Sequence, residues 1–220
     1  LRRELQARGI VFTTQSDTEV LLKGLITDGP DFQLQCNGMW AFCLWDRLEG
    51  RAILGRDRFG EKPLFYTTIR NGFAFASEMK GLYPLMSSVQ PSARIEEHFQ
   101  YLFEYESTED CVIEGITRLP AGTWMEWKDG RSRLTRWWCT LDHLVDVPQR
   151  YEDQVERFRE LFLQSVEIRM RADVRIGTAL SGGLDSSSTF CAMAHIAKIS
   201  GNKERMSSDW QHGVCAGFPG

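Results

Sequence analysis

The ten residues Ala179-Leu180-Ser181-Gly182-Gly183-Leu184-Asp185-Ser186-Ser187-Ser188 decide how the chain is read. Upstream, Val174, Ile176, Ala179 and Leu180 form a short apolar run that predicts a buried strand, and downstream residues 188–199 predict a helix. Gly182 and Gly183 tolerate backbone angles and a closeness of approach that a Cβ would forbid, so successive N–H groups can converge on an anion. The helix start adds its positive end and free donors, and Ser181, Ser186 and Ser187 add hydroxyls. Asp185 would repel a polyphosphate unless a cation stood between them, and Mg²⁺ with oxygen ligands is the usual one. The loop therefore predicts a metal-bound nucleotide. The plainer alternative is a Gly-Gly turn with Asp185 or Ser186 as a helix N-cap.

The loop has no Gly-Lys-Ser/Thr and is not of the Walker type. Its Ser-Gly-Gly-Leu-Asp-Ser pattern resembles the pyrophosphatase loop of ATP-dependent adenylating enzymes: asparagine synthetase, GMP synthetase, argininosuccinate synthetase and the tRNA-thiolating enzymes. A net charge of −4 and a pI near 5.7 give no overall electrostatic footprint for nucleic acid. That weighs against the tRNA-modifying branch and predicts no nucleic-acid partner. No apolar stretch approaches membrane-spanning length and the N-terminus is charged, so no membrane partner and a cytoplasmic location are expected. Cys36, Cys43, Cys111, Cys139, Cys191 and Cys215 show no metal-ligand spacing and predict buried, reduced thiols. His98, His143, His195 and His212 lie in unrelated contexts and support neither a metal cluster nor a histidine-based triad. Starting at Leu1 and stopping at Gly220 in mid-pattern, the chain reads as a fragment truncated at both ends.

Residues 1–8 read as the tail of a helix stopped by Gly9, and residues 10–12 as a short strand. Ser16-Asp17-Thr18-Glu19 has capping-box spacing, which starts a helix running to about Thr27 and puts Asp17 in its first turn. Two readings of Asp17 stand side by side: a favourable charge at a helix start, or a carboxylate that grips an ammonium group of a small ligand. From residue 36 to 78 the period becomes that of strands, at 39–45, 52–55, 64–69 and 73–76. Asn71-Gly72 and Asp129-Gly130 mark hairpins, the latter between strands at 123–127 and 134–138. Residues 39–45 are apolar on both faces, which predicts a sheet covered on both sides. Residues 1–139 thus read as an antiparallel α+β unit and 140–150 as a linker. Residues 151–171 form an amphipathic helix leading into the Val174 strand and the loop, and residues 214–218 read as a second, parallel strand. Helix, strand, loop, helix, strand is the opening of a doubly wound α/β domain over 151–220.

Taken in order, these stretches resemble glutamine-dependent asparagine synthetase. The matching segments are Ser16-Asp17-Thr18-Glu19-Val20, Asn37-Gly38-Met39-Trp40-Ala41-Phe42, Arg56 to Tyr66, Phe75 to Lys80, Leu119-Pro120-Ala121-Gly122, Leu180 to Ser187 and Ala216 to Gly220. The resemblance implies an N-terminal-nucleophile-type, class II glutamine amidotransferase domain over 1–139. The start of an ATP-pyrophosphatase synthetase domain would follow. It implies that ammonia released from glutamine attacks a β-aspartyl-AMP intermediate made from aspartate and ATP·Mg²⁺, giving asparagine, AMP and pyrophosphate. By position, Asp17 would hold the α-amino group of glutamine. Leu180, Ser181, Gly182, Gly183, Asp185 and Ser186 would hold ATP, with Asp185 on the magnesium, and Ala216 would face the adenosine. The partners are then small molecules, and the resemblance allows a homodimer. In this family the Arg56 to Lys62 cluster reads as architecture rather than catalysis.

The same resemblance assigns no catalytic residue here, because such a glutaminase uses the thiol of its own first residue and this chain starts with Leu1. Two rivals remain. One is a β-lactam synthetase-like amide-forming cyclase, and the other a catalytically dead ATP-binding homologue. Retained Asp17 favours a working glutaminase, and intact Ser181, Gly182, Gly183 and Asp185 favour a working nucleotide loop.

Overall fold

The computed structural model describes residues 1–70, 72–100, 108–172, 174–199 and 211–217, with the backbone alone at 98 and 99. They fall into two compact units, Leu1–Leu144 and Val145–Gly220.

In the first unit, α1 (Arg2–Ala7) closes in a Schellman motif: the Gly9 N–H donates to Gln6 O at 2.9 Å and the Ile10 N–H to Leu5 O at 3.1 Å. Residues 10–12 are therefore not the expected strand. The Ile10 amide is committed to ending the helix, and Ile10 and Phe12 join the apolar cluster of Leu5, Leu25, Phe32 and Cys36. α2 (Asp17–Asp28) begins where the sequence places it, with the Ser16 hydroxyl accepting from the Thr18 N–H at 3.1 Å.

Strands β1 (Ala41–Asp46), β2 (Arg51–Arg56), β3 (Phe65–Ile69), β4 (Gly72–Ala76), β5 (Thr117–Arg118), β6 (Thr123–Lys128) and β7 (Arg131–Arg136) build two antiparallel sheets, ordered β1-β2-β6-β7 and β4-β3-β5. A short helix, α3 (Ile95–Gln100), stands between β4 and β5 in sequence. Period-two alternation sorts β1 into two faces. Ala41 and Cys43 pack with Ala52, Leu54, Met125, Tyr66 and Phe73 between the sheets, whereas Phe42 and Leu44 pack with Leu5, Leu25 and Phe32 of the helical layer. This is why residues 39–45 are apolar on both sides. The far face of the three-stranded sheet is covered by Leu82, Cys111 and Ile116 against Phe65 and Ala74. Burying side chains such as Leu54 and Leu119, both fully inaccessible, contributes roughly 1.5–3 kcal/mol each.

The two hairpins close differently. Asp129 and Gly130 take φ of 51° and 74°, the pair of positive values of a type I′ turn, between paired Lys128 and Arg131. In the other hairpin Ile69 pairs with Gly72, so Gly72 sits in the ladder and the connection is residues 70–71, one position earlier than the expected Asn71-Gly72 turn. Asn71 itself lies outside the described residues.

In the second unit, α4 (Tyr151–Arg169), β8 (Ile176–Ala179), α5 (Leu184–Ile199) and β9 (Gln211–Val214) follow in order, with β8 and β9 parallel. Their core is Val166 and Met170 of the α4 end against Ala192, Met193 and Ile196 of α5. Three expectations shift. Val174 is exposed and precedes the strand, and β8 alternates half-buried with exposed residues because its Ile176 and Thr178 face packs toward α5 while the other is open among the described residues. α5 begins at Leu184, four residues before the expected Ser188. β9 spans Gln211–Val214 rather than 214–218, since Gly213 and Val214 face Thr178 and Ala179 across the ladder; residues 218–220 lie outside the described residues.

Candidate functional site

Asp17 is the first helical residue of α2 and is exposed. Its neighbourhood differs from the capping box that the spacing suggests. Glu19 does not reach back to the Ser16 N–H. Its carboxylate accepts instead from the Thr13 N–H at 2.9 Å, the Thr14 N–H at 2.7 Å and both threonine hydroxyls at 3.1 and 2.7 Å. The Ser16 N–H donates to the Thr14 hydroxyl at 3.2 Å, and the Arg2 guanidinium donates to Thr14 O and Ser16 O, both at 2.8 Å. Hydrogen bonds led by that of the Thr14 hydroxyl, then the Thr13 N–H, hold the Glu19 carboxyl down at about 2.

The glycine loop lies at the carboxyl ends of the parallel pair. The Leu180 N–H donates to Val214 O at 2.8 Å, so Leu180 leaves β8 beside the end of β9, and Ala216 stands exposed two residues past that end. Open α/β sheets bind ligands at this edge. Gly182 has φ of 81°, a value that needs glycine, whereas Gly183 is at negative φ and an added Cβ there would meet only Ser181 Oγ at 3.4 Å. Only one of the two glycines is thus required by the local backbone. The hydroxyls of Ser181 and Ser186 face one another at 3.2 Å, and the Ser181 and Gly183 N–H groups donate to them at 3.3 and 3.4 Å. These are long bonds on exposed groups, so an anion can displace them. Asp185 and Ser186 fall inside the first turn of α5, not at the N-cap, where the helix leaves N–H donors without intrahelical partners. Asp185 is exposed and is the only carboxylate between residues 179 and 188. Among the described residues no three His, Cys, Asp or Glu side chains group to hold a metal. One carboxylate beside a loop with exchangeable donors fits a cation bound mainly through the phosphates themselves.

Within the Arg56 to Lys62 cluster, Arg56, Asp57 and Arg58 are engaged in structure. Buried Arg56 donates to Lys62 O, Leu119 O and Gly60 O at 2.9, 2.6 and 2.6 Å, and burial lowers its basicity. Asp57, 1% exposed, accepts from the N–H groups of Trp40, Phe59, Glu61 and Lys62. Arg58 donates to Leu34 O and Cys36 O and lies over the rings of Trp137 and Trp138. The guanidinium groups of Arg56 and Arg58 are committed to backbone carbonyls and the Asp57 carboxylate to backbone N–H groups, which makes these three architectural.

The six thiols are free, but only Cys36 and Cys111 are buried. Cys43 and Cys139 are half-buried and Cys191 and Cys215 exposed, which corrects the expectation of uniformly buried thiols. Desolvation pushes the Cys43 thiol up to about 11. A cleft of about 800 Å³ opens beside β3, lined by Tyr66, Arg70, Met86, Gln90 and Glu114 among others; a smaller one of about 410 Å³ lies along α4 and α5. Neither contains Asp17 or the glycine loop. The larger cleft was invisible in the sequence because its walls come from three separated segments, and the Thr13–Glu19 clamp was hidden by a spacing shared with a capping box. No helix among the described residues is long and apolar enough to cross a membrane.

Residues 1–138 match the family model of the glutamine amidotransferase domain, and residues 157–218 that of asparagine synthase. The chain is 35% identical over 202 residues to glutamine-hydrolyzing asparagine synthetase 3 of Bacillus subtilis (strain 168), covering 90% of this chain and 32% of that protein. Glutamine-hydrolyzing asparagine synthetase 1 of the same organism is 33% identical over 189 residues, 85% of this chain and 29% of the relative. This chain therefore spans about a third of the length of these curated relatives. Among solved structures, the glutamine phosphoribosylpyrophosphate amidotransferase of B. subtilis aligns over 91% of this chain and 41% of its own, at 18% identity and a TM-score of 0.44. With the first 138 of 220 residues covered by its model, the chain belongs to the glutamine amidotransferase domain family and carries an asparagine synthase segment behind it.

Proposed function

We propose that this chain serves ATP-dependent asparagine synthesis from aspartate and glutamine, contributing glutamine-binding groups from its first unit and nucleotide-binding groups from its second. The observation that carries the reading is the loop at the carboxyl ends of β8 and β9. Gly182 turns the backbone, Ser181 and Ser186 present exchangeable hydroxyls, and Asp185 stands in the first turn of α5. In this reading Leu180 to Ser186 cradle the polyphosphate, Ala216 leaves room for the adenosine, and Asp185 holds Mg²⁺. When bound, the cation would supply charge neutralisation at the phosphates. Attack of the aspartate β-carboxylate on the α-phosphorus then releases pyrophosphate and gives β-aspartyl-AMP. Ammonia from glutamine displaces AMP to give asparagine. Asp17 takes the glutamine α-ammonium group, and the reading assigns the nucleophilic thiol to no residue of this chain. Glutamine, aspartate and ATP are its partners, nucleic acid is not, and the reading expects a cytoplasmic location and allows a homodimer.

Titration calorimetry of this chain with ATP tests the nucleotide half. Binding is expected to require Mg²⁺, to be abolished by Gly182→Val, and to weaken about tenfold in Asp185→Asn, equivalent to ~1.4 kcal/mol. Pyrophosphate release by the full-length protein tests the chemistry. Release that depends on aspartate supports the reading, release with another acid alone favours a cyclase, and none at all a dead homologue.

A further inference from the structure

The loop before α2 is pinned from both sides, and the pinning converges on Asp17. The peptide group preceding its Cα is held by the Arg2 guanidinium through Ser16 O, at 2.8 Å. The group following it is held by Ser16 Oγ through the Thr18 N–H, at 3.1 Å. Ser16 is in turn fixed by a relay, Ser16 N–H to Thr14 Oγ1 and Thr14 O–H to Glu19 Oε2, at 3.2 and 2.7 Å. Glu19, two residues past Asp17 on the same helix, takes the N–H and O–H of both Thr13 and Thr14. These donors leave its carboxylate no role in binding a ligand of its own. They make it the anchor that sets where the Cα–Cβ bond of Asp17 points.

We infer that Glu19 is a positioning residue for glutamine: by clamping Thr13 and Thr14 it fixes the Ser16-Asp17 backbone so that the Asp17 carboxylate meets the substrate α-ammonium group in one orientation. The inference rests on the proposal that Asp17 binds glutamine. A carboxylate displaced by an ångström still carries its charge but loses the geometry of a charge-assisted bond. The low proton affinity of Glu19 suits the role, since the clamp stays charged throughout the neutral range.

Glutamate release and ammonia-dependent turnover of the full-length protein, with glutamine and ammonium chloride as probes, test this. Glu19→Ala is expected to raise the glutamine KM about tenfold or more, as a misplaced binding group does, with ammonia-dependent turnover unchanged. Glu19→Gln should fall between, because its amide keeps one acceptor but turns an N–H₂ toward a backbone N–H. Amide exchange at residues 13–16 of Glu19→Ala should rise, while exchange in β1 to β7 should not. An unchanged KM in Glu19→Ala alongside a raised KM in Asp17→Asn overturns the positioning role. Loss of ammonia-dependent turnover in Glu19→Ala overturns it too, by showing a general structural one. An unchanged KM in Asp17→Asn, or no glutamate release by the unsubstituted protein, overturns the glutamine reading itself and the positioning role with it.

Discussion

Asp57 shows what one side chain can organise. It takes four backbone N–H donors, from Trp40, Phe59, Glu61 and Lys62, while its own carbonyl accepts from Gly60 and Gly122. Asn in its place would turn an N–H₂ into a nest of N–H groups. We expect Asp57→Asn to cost about 2–3 kcal/mol of stability, read as a lowered denaturation midpoint, because a buried donor facing donors bears its full desolvation penalty. Glu19 yields a pH signature. Its carboxyl titrates lower in the folded protein than in the unfolded chain, so its stabilisation is complete above the unfolded value of 4.5 and vanishes as pH falls through about 2. Between those values Glu19→Gln should lose stability less steeply than the unsubstituted protein in acid-melting curves. The thiols divide by exposure: Cys191 and Cys215 should react promptly with a disulfide reagent, and Cys36 and Cys111 only as the protein unfolds. Which residues carry charge was plain in the sequence at this scale, and Arg56, Asp57 and Arg58 take the architectural bonds expected of the Arg56 to Lys62 cluster. Which partner each charge takes was not, because Glu19 at capping-box spacing had two acceptable sets of donors and the backbone chose the threonines.

Elements were legible where the pattern spans a whole face. Six of the seven strands of the first unit, the Asp129-Gly130 hairpin and the amphipathic α4 follow from period and turn chemistry, whereas the two-residue β5 carries no pattern and the expected Asn71-Gly72 turn falls one position early. Boundaries failed where an apolar run was short. Residues 10–12 and 214–218 have the composition of strands, yet composition reports burial and says nothing of whether a backbone partner lies alongside. α4 is instructive in another way. Phe162, Val166 and Met170 pack on α5, whereas Tyr151, Val155 and Phe158 of the same stripe are exposed, Phe158 by 71%. The sequence marks one face, and the fold uses its second half. Ile196→Ala should therefore cost about 3 kcal/mol by opening a cavity in this core, and Phe158→Ser should shift the denaturation midpoint of the chain by no more than about 0.5 kcal/mol.

At the scale of the molecule, the chain is two units with separate cores, one built on antiparallel sheets and one on a parallel pair. Residues 144–150 carry exposed Leu144, Val145 and Val147 and form no helix or strand. Limited proteolysis should cut there first and give two fragments on a gel, as exposed backbone without regular hydrogen bonding is the preferred substrate. The tryptophans add a consequence. Six of the seven belong to the first unit, and the seventh, Trp210, lies outside the described residues. Trp138 has the Arg58 guanidinium 4.7 Å from its ring and the His143 imidazole stacked on it at 3.9 Å. The intrinsic ultraviolet emission of this protein is thus a gauge of the amidotransferase unit nearly alone. Trp138, in contact with both groups, is the tryptophan whose emission should change most as that end of the unit unfolds.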